Sequence, residues 1–350
     1  MLRNRKFSFC VFFPVVLLSL MLSCCTVKPG SPASGSSEKN NKQQTEPISE
    51  SRLMLDTFCT ITIYDPQNRA ILKDALDLCE EYEALFSISA EGSDVWRINN
   101  AGGAPVDVSP QTADIIRAGI EYAELSGGMF DITIGRLSTL WDFSGQSGLP
   151  SESDIADARA TVDYHQITIA DNTVQLSNPE SWIDLGGIAK GYIADRAAYF
   201  LRESGVTGAV IDLGGNIVIV GRKTDGSSWR VGVTKPFSDR DDLIGIVETS
   251  EASVVSAGVY ERQFVKDGVL YHHILDPTTG MPVRSDVVGA TVMSEGSMEG
   301  DALSTSILLL GSVGAAAVLD ESPGFIGAVL ILDDGEILQY GNIEFQYLPG

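Results

Sequence analysis

The segment Asp184-Leu185-Gly186-Gly187-Ile188-Ala189-Lys190-Gly191 carries the residue types that point most directly to chemistry. A strand is expected over Ser181 to Leu185, then two adjacent glycines, then a helix with a lysine in its first turn. Glycines let a backbone approach a bulky anion closely, and a helix start offers N–H donors with no partner inside the helix. Lys190 adds a mobile positive charge at the same place. This combination suits a phosphate group, although it matches neither the GxGxxG fingerprint nor the GxxxxGK[ST] loop. A tight strand-to-helix turn with a solvated lysine is the competing reading.

Asp301 and Thr305 stand four apart on an expected helix, so both oxygens lie on one face. A carboxylate and a hydroxyl at this spacing form half a site for a hard cation such as Mg2+, which takes oxygen ligands and keeps waters or substrate phosphates in its shell. An aspartate near a helix start is also explained by the helix dipole alone. Glu299 points elsewhere on the same turn. His272 and His273 precede a Gly-containing loop; on a strand they face opposite ways, so at most one enters a given site as a base or phosphate contact. His165 lies alone in a polar stretch and is expected to be exposed. No GxSxG elbow surrounds any serine, which argues against a serine hydrolase.

These residues need elements to hold them. Strands are expected over Thr57 to Tyr64, Gly208 to Leu213, Ile217 to Val220 and Ala290 to Ser294. Strand pairs are expected over Val162 to Leu176, around Lys266-Asp267-Gly268, and around Asp333-Asp334-Gly335. Leu72, Ala75, Cys79, Tyr82 and Phe86 recur at helical spacing, Ser109-Pro110 opens a second helix that stops at Gly127-Gly128, and further helices run from the Asp184 segment to about Ser204 and from Met298 to Leu310. Helices and strands alternate irregularly, which predicts an α+β fold in a single mixed catalytic domain over 51–350.

The N-terminus is a targeting segment. Arg3, Arg5 and Lys6 precede a short apolar run from Phe7 to Leu22, and Ser23-Cys24-Cys25 follows. This resembles a bacterial lipoprotein signal over 1–23, with lipid on Cys24 (or Cys25); an ordinary secretory signal is the alternative. Residues 24–50 hold almost no large apolar side chain and read as a flexible tether. The formal net charge is −23, which disfavours nucleic acid as a partner and means that an anionic ligand needs local lysines or a metal ion. Cys59 and Cys79 have no metal spacing and are expected as buried free thiols.

Several further motifs join these in order: Leu55-Asp-Thr57; Phe86-Ser87 with Asn99; Met129-Phe-Asp-Ile-Thr133-Ile-Gly135; and Leu140-Trp141-Asp-Phe143. The Asp184 to Gly191 block then runs into Tyr192 and Asp195, followed by Leu213-Gly-Gly215 and Ser256-Ala-Gly258-Val-Tyr-Glu-Arg262. His273-Ile-Leu-Asp-Pro277 with Thr279-Gly280, and Asp301-Ala-Leu-Ser-Thr305, complete the set. Together, over about residues 52 to 345, they resemble the FAD:protein FMN transferase family, also called the ApbE family. The chain departs from the family pattern at Ile132 and Arg136, often proline, at Asp56, often glycine, and at Ala257, often threonine.

The resemblance implies a T-fold-like α+β domain that cleaves the FAD diphosphate with Mg2+, attaches FMN to a Ser or Thr of a target flavoprotein and releases AMP. It implies Asp301, Thr305 and the Gly187 carbonyl as metal ligands. Leu55, Met129, Phe130, Asp131, Asp184, Lys190 and Leu275 would contact FAD, and His273, with Asp276 as fallback, would be the general base. With the signal segment, it implies an extracytoplasmic, lipid-anchored enzyme on the periplasmic side of the inner membrane, acting on flavoprotein subunits of membrane redox complexes. An Mg2+-dependent FAD pyrophosphatase, a non-catalytic flavin-binding lipoprotein and a metal-free solute-capture lipoprotein are the other readings.

Overall fold

Eight strands form one fully antiparallel sheet, in the order Ile48–Met54, Thr57–Ile63, Gly208–Leu213, Asn216–Gly221, Ser253–Gly258, Val287–Ser294, Phe325–Leu332 and Ile337–Gly341. The computed structural model describes residues 46–65, 69–144, 148–223, 225–239 and 242–348, all within one compact unit. The signal segment 1–23 and Cys24 lie outside the described residues. The first strand begins at Ile48, slightly inside the stretch expected as tether.

The sheet is covered on both faces, which explains its long apolar strands. Helices Arg69–Phe86 and Ala189–Glu203 bury Leu72, Cys79 and Ile193 against Cys59, Ile61 and Ile211. Helix Ser297–Asp320 buries Leu303, Ile307 and Leu308 against Ala290, Val292 and Leu330 of the same face. Ile219, Val254, Met293 and Ile331 point the other way, onto Trp229, Val231 and Val247. Those residues belong to a small sheet of Glu344–Tyr347, Leu243–Thr249 and Trp229–Thr234, which was not anticipated from the sequence.

Helix Ser297–Asp320 is long and apolar enough to cross a membrane, yet most of it is buried in the core. It is two segments. Gly311 interrupts it at φ 72 and ψ 179, a backbone open only to glycine, and Asp286 caps the second segment at Ser312 N. The helix expected to stop at Leu310 therefore does stop there, and a new one begins.

Other expectations hold with shifted ends. The Asp267-Gly268 turn joins Gln263–Lys266 to Val269–His272, and Ser109 Oγ accepts from Thr112 N to start Pro110–Leu125. The hairpin expected over Val162 to Leu176 narrows to Ile167–Ala170 and Thr173–Leu176. Ser181 to Leu185 is not a strand. At its centre the backbone partner is a side chain: Asn99 donates to Ile183 O at 2.8 Å and accepts from Ile183 N at 2.7 Å. A single bridge, Trp182 to Ile134, and a bond from Asp184 N to Ile132 O hold the rest. Cys59 and Cys79 are buried free thiols, as expected, and burial pushes both up to about 12. His165 is exposed beside Asp163.

Candidate active site

A cleft of about 610 Å³ opens where the helices Ala189–Glu203 and Ser297–Asp320 meet the ends of interior strands of the large sheet. Its size suits a small-molecule ligand. Leu55, Met129, Phe130, Asp131, Asp184, Gly187, Lys190, His273, Leu275, Asp301 and Thr305 all line it, drawn from segments spread along the whole chain. Asp276 does not. Its Oδ1 accepts from Thr278 N and Oγ, both at 2.7 Å, and shapes the following loop.

The Asp184 segment is held by internal bonds. Asp184 Oδ1 accepts from Gly186 N at 2.8 Å and Oδ2 accepts from Ser138 Oγ at 2.5 Å. Gly187 provides close approach: a Cβ there would stand 2.9 Å from the Phe130 ring and 3.8 Å from Thr305 Cγ2. Two of the amides at this helix start are taken: Ala189 N donates to Leu185 O and Gly191 N to Asp301 Oδ2, and the side chain of Lys190 supplies the mobile positive charge.

Asp301 is 4% exposed. Its second oxygen lies 3.7 Å from Lys190 Nζ, so the candidate cation ligand and the candidate phosphate counter-charge share one corner of the cleft. The helix carrying Asp301 has no cap of its own. Asp195, from the other helix, accepts from Ser297 N at 2.7 Å and from Met298 N at 2.9 Å. A Cβ on Gly191 would meet Ser297 O at 2.3 Å, so the two backbones touch only because residue 191 is glycine. Glu299 turns away and accepts from Gly324 N.

Asp131 lines the cleft, but its carboxylate is committed inward. Oδ1 accepts from Thr133 N and Oγ, and Oδ2 from Tyr164 N. Burial pushes this carboxyl above its ordinary range despite those donors. Leu55 and Asp56 form the two-residue turn between the first two strands with φ of 54 and 58, and Glu83 Oε1 accepts from Leu55 N at 2.8 Å. That left-handed turn explains a preference for glycine at position 56.

His273 lines the cleft edge-on to Phe143, ring centres 6.5 Å apart, while His272 faces the other way, 2% exposed, with Nε2 donating to Val283 O. Burial, aided by nearby Arg262, pushes His273 down to about 3. Its imidazole is therefore neutral at physiological pH and a weak base in this cleft; a bound diphosphate, being anionic, would raise its affinity for a proton.

Among the lining residues are six carboxylates, Asp56, Glu83, Asp131, Asp184, Glu261 and Asp301, against two full cations, Lys190 and Arg262. A diphosphate entering this cleft needs an added counter-cation. Asp301, Thr305 and the Gly187 backbone offer hard oxygen donors for one. No cluster of three or more His, Cys, Asp or Glu exists among the described residues. The donors thus suit an ion that shares its shell with substrate and water. Motif spacing signalled Asp301 and Thr305, but nothing in the sequence singled out Glu83, Ser138 or Asn216, which also line the cleft.

The ApbE family matches residues 55–330. An FAD:protein FMN transferase of Klebsiella pneumoniae (strain 342) is 35% identical over 307 residues, 86% of this chain and 94% of that protein. One from Treponema pallidum (strain Nichols) is 31% identical over 310 residues, 83% and 85% of the two chains. The crystal structure of the ApbE protein from Thermotoga maritima superposes with a TM-score of 0.76 at 33% identity, covering 84% of this chain and 97% of that one. The flavin transferase ApbE from Vibrio cholerae gives 0.75 at 28%, covering 85% and 97%. With the family spanning most of the folded chain and relatives alike in sequence and in architecture, this chain belongs to the ApbE family.

Proposed function

We propose that this chain is an FAD:protein FMN transferase that cleaves the FAD diphosphate, places FMN on a Ser or Thr hydroxyl of an acceptor protein and releases AMP. The observation that carries the reading is the corner where Asp301 and Thr305 meet Gly187 and Lys190 inside one cleft. Family membership and the printed activity of the relatives support it.

Displacement at phosphorus asks a protein to position groups and to offset charge. The acceptor hydroxyl oxygen bonds to the phosphorus on the FMN side, and the bond from that phosphorus to the bridging oxygen breaks, leaving AMP. His273, neutral and at the cleft wall, takes the hydroxyl proton. Lys190 faces the diphosphate, and the Gly186-Gly187 bend lets the substrate lie close to the backbone. Asp301, Thr305 and the Gly187 carbonyl would hold a Mg2+, which would supply charge neutralisation of the diphosphate. Phe130 and Met129, with Leu55 and Leu275, give the nucleotide apolar walls.

The leader and tether of the sequence further support an extracytoplasmic enzyme held to the membrane by lipid on Cys24. Its acceptors would be flavoprotein subunits of membrane redox complexes. The test is incubation of the purified protein with FAD, Mg2+ and a candidate acceptor, followed by mass analysis. Acceptor heavier by FMN, with AMP released, is the expected result. AMP with free FMN alone identifies a pyrophosphatase, and no FAD turnover with or without acceptor overturns the enzyme reading.

A further inference from the structure

The carboxylates of Asp131, Asp184, Glu83 and Asp301 are each engaged by donors from the protein. Asn216, in the same cleft lining, is different. It is 1% exposed, and its Nδ2 has no hydrogen-bond partner. Leaving an amide donor buried and unpaired costs about 1–3 kcal/mol, so an open one at a cleft wall calls for an explanation.

Its position supplies one. Asn216 begins its strand directly after Gly214 and Gly215, whose φ of 66 and 100 turn the chain. Across the sheet it pairs with Val255. Val255 Cγ2 in turn packs on Gly300, where a Cβ would stand only 2.9 Å away. Gly300 immediately precedes Asp301, so Asn216 sits one strand from the helical turn that carries Asp301. The neighbouring Ser256 is fixed by its own bonds, N to Gly215 O and Oγ with Thr291 Oγ. The Asn216 amide, one strand away from Asp301, therefore joins His273 Nδ1 as a buried polar group of the cleft lining that has no partner in the protein. Rotation about its Cβ–Cγ bond exchanges donor and acceptor ends.

We propose that Asn216 is a specificity-determining contact, its side-chain amide donating to a diphosphate oxygen of the bound dinucleotide. This rests on the flavin-nucleotide reading above. A neutral donor fits the place: it attracts an acceptor-only phosphate oxygen and adds no further negative charge to a cleft already rich in carboxylates.

The test compares the full-length chain with Asn216→Asp, of the same shape but without the donor, and Asn216→Leu. Calorimetric titrations use FAD with Mg2+ and, separately, ADP with Mg2+, which keeps the diphosphate and omits the flavin. Asn216→Asp is expected to weaken both ligands at least about tenfold and Asn216→Leu about fivefold. KM for FAD rises in step while kcat stays within about threefold, and the melting temperature of Asn216→Leu, which buries no charge, stays near that of the parent chain. Unchanged affinities with a lowered melting temperature make Asn216 a packing residue and overturn the proposal. Weakening of FAD alone moves the contact to the flavin and also overturns it. A parent chain that binds neither ligand overturns it as well. One that binds both but releases no AMP refutes the transferase reading while leaving the binding comparison decisive.

Discussion

The backbone N–H of Gly191 donates to Asp301 Oδ2 at 2.9 Å, joining positions 110 residues apart. One carboxylate thereby ties two helix starts together and keeps its other oxygen 3.7 Å from Lys190 Nζ. The double-glycine bend and the Asp301–Thr305 pair are thus two walls of a single corner.

Asp301→Asn preserves shape and an acceptor for Gly191 N–H but removes the charge. AMP release from FAD with Mg2+ is expected to fall at least about 100-fold. The denaturation midpoint should move little. Turnover close to that of the parent chain would remove Asp301 from the metal site, and unchanged ligand affinity without turnover would favour a solute-capture role.

Gly191→Ala tests the contact between the helices. The added methyl would lie 2.3 Å from Ser297 O and 2.6 Å from Met298 Cα, both backbone atoms that have no rotamer to retreat into. A loss of about 3 kcal/mol in urea unfolding is expected, the upper end for overpacking, and FAD turnover should fall with it because the Asp301 corner opens. An alanine variant as stable and as active as its parent would contradict the close approach.

Gly311→Ala probes the break in the long helix. At φ 72 and ψ 179 alanine is strained, and its Cβ would stand 2.7 Å from Asp286 Oδ1, the cap of the next segment. Urea melts should show a loss of about 2–4 kcal/mol. A neutral outcome would mean that the helix runs straight through.

His272 should make stability depend on pH. Burial lowers it from 6.5 to about 4. Between those values the unfolded chain binds a proton that the folded chain refuses, so stability falls as pH drops through that window and is level outside it. His272→Gln removes this contribution. From pH 7 to pH 5 the parent chain should lose about 2 kcal/mol more than the variant in urea melts. Equal losses would show that the imidazole titrates freely in the fold.

Local signals carried well where a residue acts on its own neighbours. Ser109 caps its helix because the hydroxyl reaches an amide three residues on. Asp267-Gly268 turns a hairpin because both residues adopt positive φ. The same logic failed at Ser181 to Leu185, whose apolar run reads as a strand. There the ladder partner is the side chain of Asn99, 84 residues away, which no local pattern announces. The small sheet over the second face was missed for a similar reason: Glu344–Tyr347 pairs with Leu243–Thr249, well separated from it in sequence.

The sequence by itself determined which chemical groups exist and how they are spaced along each element. Asp301 and Thr305 share a helix face, and Lys190 follows two glycines, because helix period and chain connectivity are local properties. Only the tertiary structure decided which groups meet and which remain available. It closed Gly191 onto Ser297, tied the Gly191 amide to Asp301, bound the Asp276 carboxylate into its own loop and left the Nδ2 of Asn216 without a partner. Whether a donor is free depends on what packing brings within about 3 Å of it, and that is settled by burial of apolar faces far away in the chain.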